Sequence, residues 1–126
     1  MFTHIMLGAD DLDASQRFYD ATLGALGIAP ARRAEDRFLY AHDGGIFIVI
    51  KPINGEAASC ANGGTIGFRA VSAEAVDAWH AAGLAHGGSA CEDPPGHRDT
   101  RLGRAYSAYL RDPAGNKLCA AYRIVA

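Results

Sequence analysis

The chain has 126 residues, 49% of them hydrophobic, with 12 Lys and Arg against 14 Asp and Glu for a formal net charge of −2. That size suits one compact domain able to bury a core without staples. A charge so near balance predicts no general attraction to nucleic acid or membrane surfaces, and no apolar run approaches the roughly 20 residues of a membrane span.

In chain order, Phe2 to Leu7 is a short apolar run that predicts a strand buried on at least one face. The start lacks the basic-then-apolar layout of a secretory leader. Asp10, Asp11 and Asp13 place carboxylates where a helix N-terminus favours them. Leu12, Tyr19, Leu23 and Leu26 then form one helical stripe, with Phe18 beside it, ended by Gly24, Gly27 and Pro30. Arg32 and Arg33 open a short strand, and Phe38 to Ile50 reads as a hairpin turning at Asp43, Gly44 and Gly45. Residues 55–64 are small and weakly patterned, and connect this first half to the second.

The pattern then restarts. Thr65 to Val71 reads as a strand, Ser72 as a helix N-cap, and Val76, Trp79 and Gly83 follow at helical spacing. His42, His80 and His86 are expected at the surface. Ala90 to Asp93 reads as a strand before the turn at Pro94, Pro95 and Gly96, and His97 to Arg104 as a polar loop. Tyr106 to Arg111 and Lys117 to Val125 form a closing hairpin around Asp112, Pro113, Ala114, Gly115 and Asn116, a dense cluster of turn residues. The fold class is α+β, two βαβββ modules: about 1–54 and about 65–126. Cys60, Cys91 and Cys119 are odd in number and far apart, which predicts neither a disulfide framework nor a structural zinc site and points to a reducing cytoplasm.

The stretch from Phe2 to Tyr19 resembles the first strand and helix of the vicinal oxygen chelate superfamily, and Tyr109 to Leu118 resembles its last hairpin. That superfamily includes glyoxalase I, bleomycin resistance proteins and extradiol dioxygenases. The resemblance implies modules whose sheets curl around a cleft, a small-molecule ligand, and pairing of modules within one chain or across a homodimer. In metal-dependent members it also implies a divalent ion (zinc, nickel, manganese or iron) held by histidines and carboxylates on four strand positions. Carried over residue by residue, those positions fall on His4, Thr65, Ile48 and Cys119, so one ligand of four has its expected type.

Two readings therefore stand for several residues. His4 is a metal ligand or a hydrogen-bonded strand histidine, and Cys119 a ligand or a small buried hydrophobe. His97 is a substitute ligand from an unexpected strand, and Glu92 the one carboxylate on a late strand available for acid–base work. Arg98, Arg101 and Arg104 suit a carboxylate or phosphate, glutathione being one such ligand by analogy to glyoxalase I, unless they are only a solvated loop. Tyr40, Tyr106 and Tyr109 line the pocket or pack within the strands. The leading function is a glyoxalase-like protein, of lactoylglutathione lyase type if an enzyme. The rival is a metal-free binding protein of the bleomycin-resistance kind, and an extradiol dioxygenase is weaker still.

Overall fold

The computed structural model describes residues 1–124, so Val125, assigned above to the last strand, lies outside the described residues. The first module runs β1 (His4–Gly8), α1 (Leu12–Ala25), β2 (Arg32–Arg33), β3 (Arg37–His42) and β4 (Gly45–Ile50). The second runs β5 (Ile66–Arg69), α2 (Ala73–Ala85), β6 (Ser89–Ala90), β7 (Gly96–Thr100), β8 (Gly103–Arg111) and β9 (Lys117–Arg123). The first sheet has the order β1-β4-β3-β2 and the second β5-β9-β8-β6, with β7 also paired to β8. In each sheet the first strand lies parallel to the last, β1 to β4 and β5 to β9, while the hairpins are antiparallel.

Both helices start as their sequences dictate. Asp11 accepts from the Ala14 amide at 3.0 Å and Ser72 from the Ala75 amide at 3.1 Å, satisfying N–H groups that the first turn leaves without partners. The stripe on α1 buries Leu12, Phe18, Tyr19 and Leu23, and α2 buries Val76, Trp79 and Gly83. His80, expected at the surface, is half-buried on α2, where desolvation lowers its pKa. The helices pack on each other, and each covers one face of its own sheet. Phe38, Tyr40, Phe47 and Val49 meet α1 from the first sheet; Ala108, Leu110, Leu118 and Ala120 meet α2 from the second. One core thus runs between two half-covered sheets.

The second module departs from the expected strand pattern. The late strand expected over Ala90–Asp93 stops at Ala90, and the expected polar loop contains β7, paired from Gly96↔Ser107 to Thr100↔Gly103. This edge strand is exposed or half-buried along its length and needs no alternation of apolar residues, so its polar composition conceals it. Glu92 consequently lies in the turn between β6 and β7, at φ 57, and not on a strand.

Polar contacts tie the modules together. Asp10 accepts from the Ala58 amide at 2.8 Å, fixing the connection, and Asn116 Nδ2 donates to the Gly8 carbonyl at 3.1 Å.

Candidate functional site

Strand alternation decides which side chains stand opposite the helices. On the first sheet that open face carries His4 and Met6 from β1, Ile46 and Ile48 from β4, and Leu39 and Ala41 from β3. Met6 is 42% exposed and Ile46 41%. On the second sheet the registers Gly67↔Cys119, Tyr109↔Cys119, Ser107↔Ala121 and Arg111↔Lys117 place Cys119, Tyr109, Ser107, Arg111 and Lys117 on one face. Arg98 joins it opposite Ala105, and Arg123 pairs with the same Ala105. One open face is apolar; the other is cationic.

The cationic face is organised around Tyr109. The Arg98 guanidinium lies 5.4 Å from its ring centre and the Lys117 ammonium 5.1 Å, two cation–π approaches to one ring. Burial raises the Tyr109 pKa, and neighbouring Cys119 adds to the rise. Burial likewise pushes the Cys119 thiol up, with Tyr109 and Arg98 pulling partly back. Both groups therefore stay protonated at neutral pH and offer an S–H and an O–H rather than a thiolate or phenolate. Beside them a cavity of about 210 Å³ is lined by Ser107, Tyr109, Cys119, Arg104, Arg123 and the tip of the β7–β8 hairpin.

The other candidates are dispersed. Arg98 spends its guanidinium on the loop before β7 and the strands beside it, donating to the loop carbonyls of Asp93 at 2.8 Å and Pro94 at 3.1 Å, to the Gly96 carbonyl at 3.2 Å, to the Ser107 carbonyl, and to Ser107 Oγ at 3.1 Å. Arg101 is exposed at the hairpin tip, and Arg104 pairs with Asp99 at 3.3 Å, both side chains open to solvent. Tyr40 and Tyr106 stand on the helix-covered faces: the Tyr40 hydroxyl donates to Asp20 and the Tyr106 hydroxyl to Asp77, each at 2.7 Å. His97 packs edge-on against Tyr106 at 5.2 Å, away from Cys119's face. Glu92 is ion-paired with Lys117, whose pKa this partner raises. His4 is exposed, its Nδ1 2.8 Å from Thr3 Oγ1. Ser107, Arg111, Lys117 and Arg123 do not stand out in the sequence; the period-2 alternation of β8 and β9 contains them once the hairpin register is known.

Two curved sheets of this order, each backed by one helix and repeated within a chain, define a known architecture, and residues 1–120 match the Glyoxalase/Bleomycin resistance protein/Dioxygenase superfamily. The chain belongs to that superfamily. Its structure is similar to a glyoxalase/bleomycin resistance protein from Albidiferax ferrireducens, with 53% identity, TM-score 0.95, and coverage of 98% of this chain and 99% of that one. It also resembles a lactoylglutathione lyase from Agrobacterium tumefaciens at 25% identity and TM-score 0.65, covering 97% and 92%. A glyoxalase-related enzyme from Fulvimarina pelagi, at 22% identity, TM-score 0.75, and coverage of 98% and 88%, shares the fold. No functionally curated protein matches the chain.

Superfamily membership raises the question of a divalent metal. The ladders support the repeat equivalence: Ile48 pairs with Met6, two residues beyond His4, and Cys119 with Gly67, two beyond Thr65. His4, Ile48 and Cys119 lie on the open faces and Thr65 just before β5, but the four supply one imidazole, one hydroxyl, one alkyl group and one protonated thiol. Among the described residues no group of three or more His, Cys, Asp or Glu is placed to hold a metal ion. Within one chain this donor set does not fit a divalent ion.

Proposed function

We propose that this protein binds a small, anionic, oxygen-rich organic molecule on the open face of the second sheet, as a metal-free sequestering protein rather than a lyase. The observation that carries the reading is that Arg98, Arg111, Lys117 and Arg123 share one sheet face with Tyr109, Ser107 and Cys119, with Arg123 lining the cavity beside them. Guanidinium groups bind carboxylates and phosphates in forked pairs, and protonated hydroxyls and thiols add donors for further oxygens. Arg123 is the cation most available to a ligand, being exposed and lining the cavity, while Arg98 acts through the loop it holds. Arg101 and Arg104 extend the positive field at the hairpin.

A second copy of the chain completes the site in this reading. The exposed apolar face bearing Met6 and Ile46, with Phe2 69% exposed in the segment before β1, supports a cover for the cationic face, as the superfamily's habit of pairing modules suggests. The three cysteines are free, which supports residence in a reducing cytoplasm. Among the described residues no helix is long and apolar enough to cross a membrane.

Calorimetric titration of metal-depleted protein with glutathione and with citrate tests the binding reading. Saturable binding that weakens with salt and falls in Arg123→Gln supports it. Formation of S-lactoylglutathione from methylglyoxal and glutathione, on adding zinc or nickel, would overturn it in favour of the lyase.

A further inference from the structure

We infer that the seam between the two modules is a second site, which takes an α-amino acid with a bulky apolar side chain. β1 pairs only with β4, and β5 only with β9, so the two strand edges flank the seam without bonding to each other. A cavity of about 320 Å³ opens there, reaching from the helix-covered side out to Gly67 and Arg69 at the sheet edge, and it shares no lining residue with the cavity beside Cys119. That volume lies at the small end of the range for ligand pockets. Its walls are apolar: Leu23 and Ile28 from the end of α1 and the segment after it, Phe47 and Phe68 from the facing sheets. Phe47 and Phe68 meet edge-to-face at 5.3 Å and form a rigid aromatic wall.

The rim holds one carboxylate and one guanidinium. Asp43, in the β3–β4 turn, and Arg69, at the end of β5, both line this cavity, and neither enters an ion pair among the described residues. An apolar hollow with one unpaired charge of each sign at its mouth selects a ligand by three features together. The side chain fills the hollow, the ammonium meets Asp43 and the carboxylate meets Arg69. A simple acid or a simple amine would leave one of these charges facing a ligand without its partner.

The test is calorimetric titration with L-phenylalanine, 3-phenylpropionate and phenethylamine, which share the ring and differ in charge. L-phenylalanine is expected to bind one per chain, at least about tenfold more tightly than either analogue. Arg69→Gln is expected to remove its advantage over phenethylamine, and Asp43→Asn its advantage over 3-phenylpropionate. Both substitutions are at exposed positions, and asparagine tolerates the positive φ of 50 at Asp43. Equal binding of all three probes, or no heat from L-phenylalanine at millimolar concentration, would overturn the proposal whatever glutathione does.

Discussion

The Tyr19 hydroxyl of α1 donates to Asp112 Oδ2 at 2.5 Å, joining residues 93 apart in sequence inside the core. Asp112 also accepts from Asn116 Nδ2 at 3.0 Å and, through Oδ1, from the amides of Ala114 at 3.0 Å and Asn116 at 2.8 Å. The turn of the last hairpin is thereby locked to the first helix. Tyr19→Phe removes one of four donors to a buried carboxylate. It is expected to cost about 1–3 kcal/mol in urea unfolding, with the fold retained.

The same hydroxyl predicts a pH dependence. Burial first, then the Asp112 charge, holds the Tyr19 pKa well above its ordinary value, and burial and Asp20 do the same for Tyr40. A raised folded-state pKa gives stability that is complete below the unfolded value, about 10, and is lost as pH rises beyond it. Thermal midpoints should therefore stay level with respect to these two groups up to about pH 9 and fall above about pH 10. In Tyr19→Phe and Tyr40→Phe the alkaline fall should be shallower.

Where α1 crosses α2, Gly83 leaves room that a side chain would take. A Cβ there would collide with Leu110 Cδ1 and lie 3.2 Å from Phe18 and 3.3 Å from Thr22, in a fully packed region. Gly83→Ala gains about 1 kcal/mol in helix propensity and loses more through overpacking, about 1–3 kcal/mol. A lower urea midpoint is the expected result; an unchanged or higher one would show that the crossing can relax.

Arg98 should matter more to the fold of the β6–β7 loop than to ligand contact. Arg98→Met frees the carbonyls of Asp93, Pro94 and Gly96 and Ser107 at once, and a loss of about 2–3 kcal/mol is expected in chemical denaturation. Arg98→Lys should recover little of it, because a single ammonium lacks the planar fork. Amide exchange over residues 92–98 should quicken in both variants.

Metal and thiol chemistry give a further pair of outcomes. Protein purified without a histidine tag should carry no stoichiometric divalent ion, and chelation should leave its thermal midpoint unchanged; an ion lost in His4→Ala would revive the metal-dependent reading. Under iodoacetamide at neutral pH, exposed Cys60 should be alkylated well before Cys119, which is buried and held as a thiol. Mass spectrometry of timed digests measures both rates.

The repeat is legible because each hairpin and helix carries its own local code. The Asp112 to Asn116 turn, the caps at Asp11 and Ser72 and the helical stripes all act within a few residues, and they are enough to order the modules. Where local code is weak, the sequence misleads. β7 shows no apolar alternation because it is an exposed edge, so the pattern puts residues 97–104 in a loop, and the short β6 ends at Ala90, before the Glu92 that the pattern puts on a strand.

By itself the sequence determined the α+β class and the doubled module, since these depend on residue identity and short spacing, while the resemblance to the superfamily put Thr65, Ile48 and Cys119 at positions where ligands are expected. Only the tertiary structure decided which side chains share a face. It sent Tyr40 and Tyr106 to the helix-covered sides and bound Arg98 to carbonyls. It put Arg111, Lys117 and Arg123 on the face of Tyr109, and set Asp43 and Arg69, 26 positions apart in the chain, on the rim of one cavity. A shift of one residue in strand register reverses every such assignment, and register is fixed by pairing between distant segments that no local pattern records.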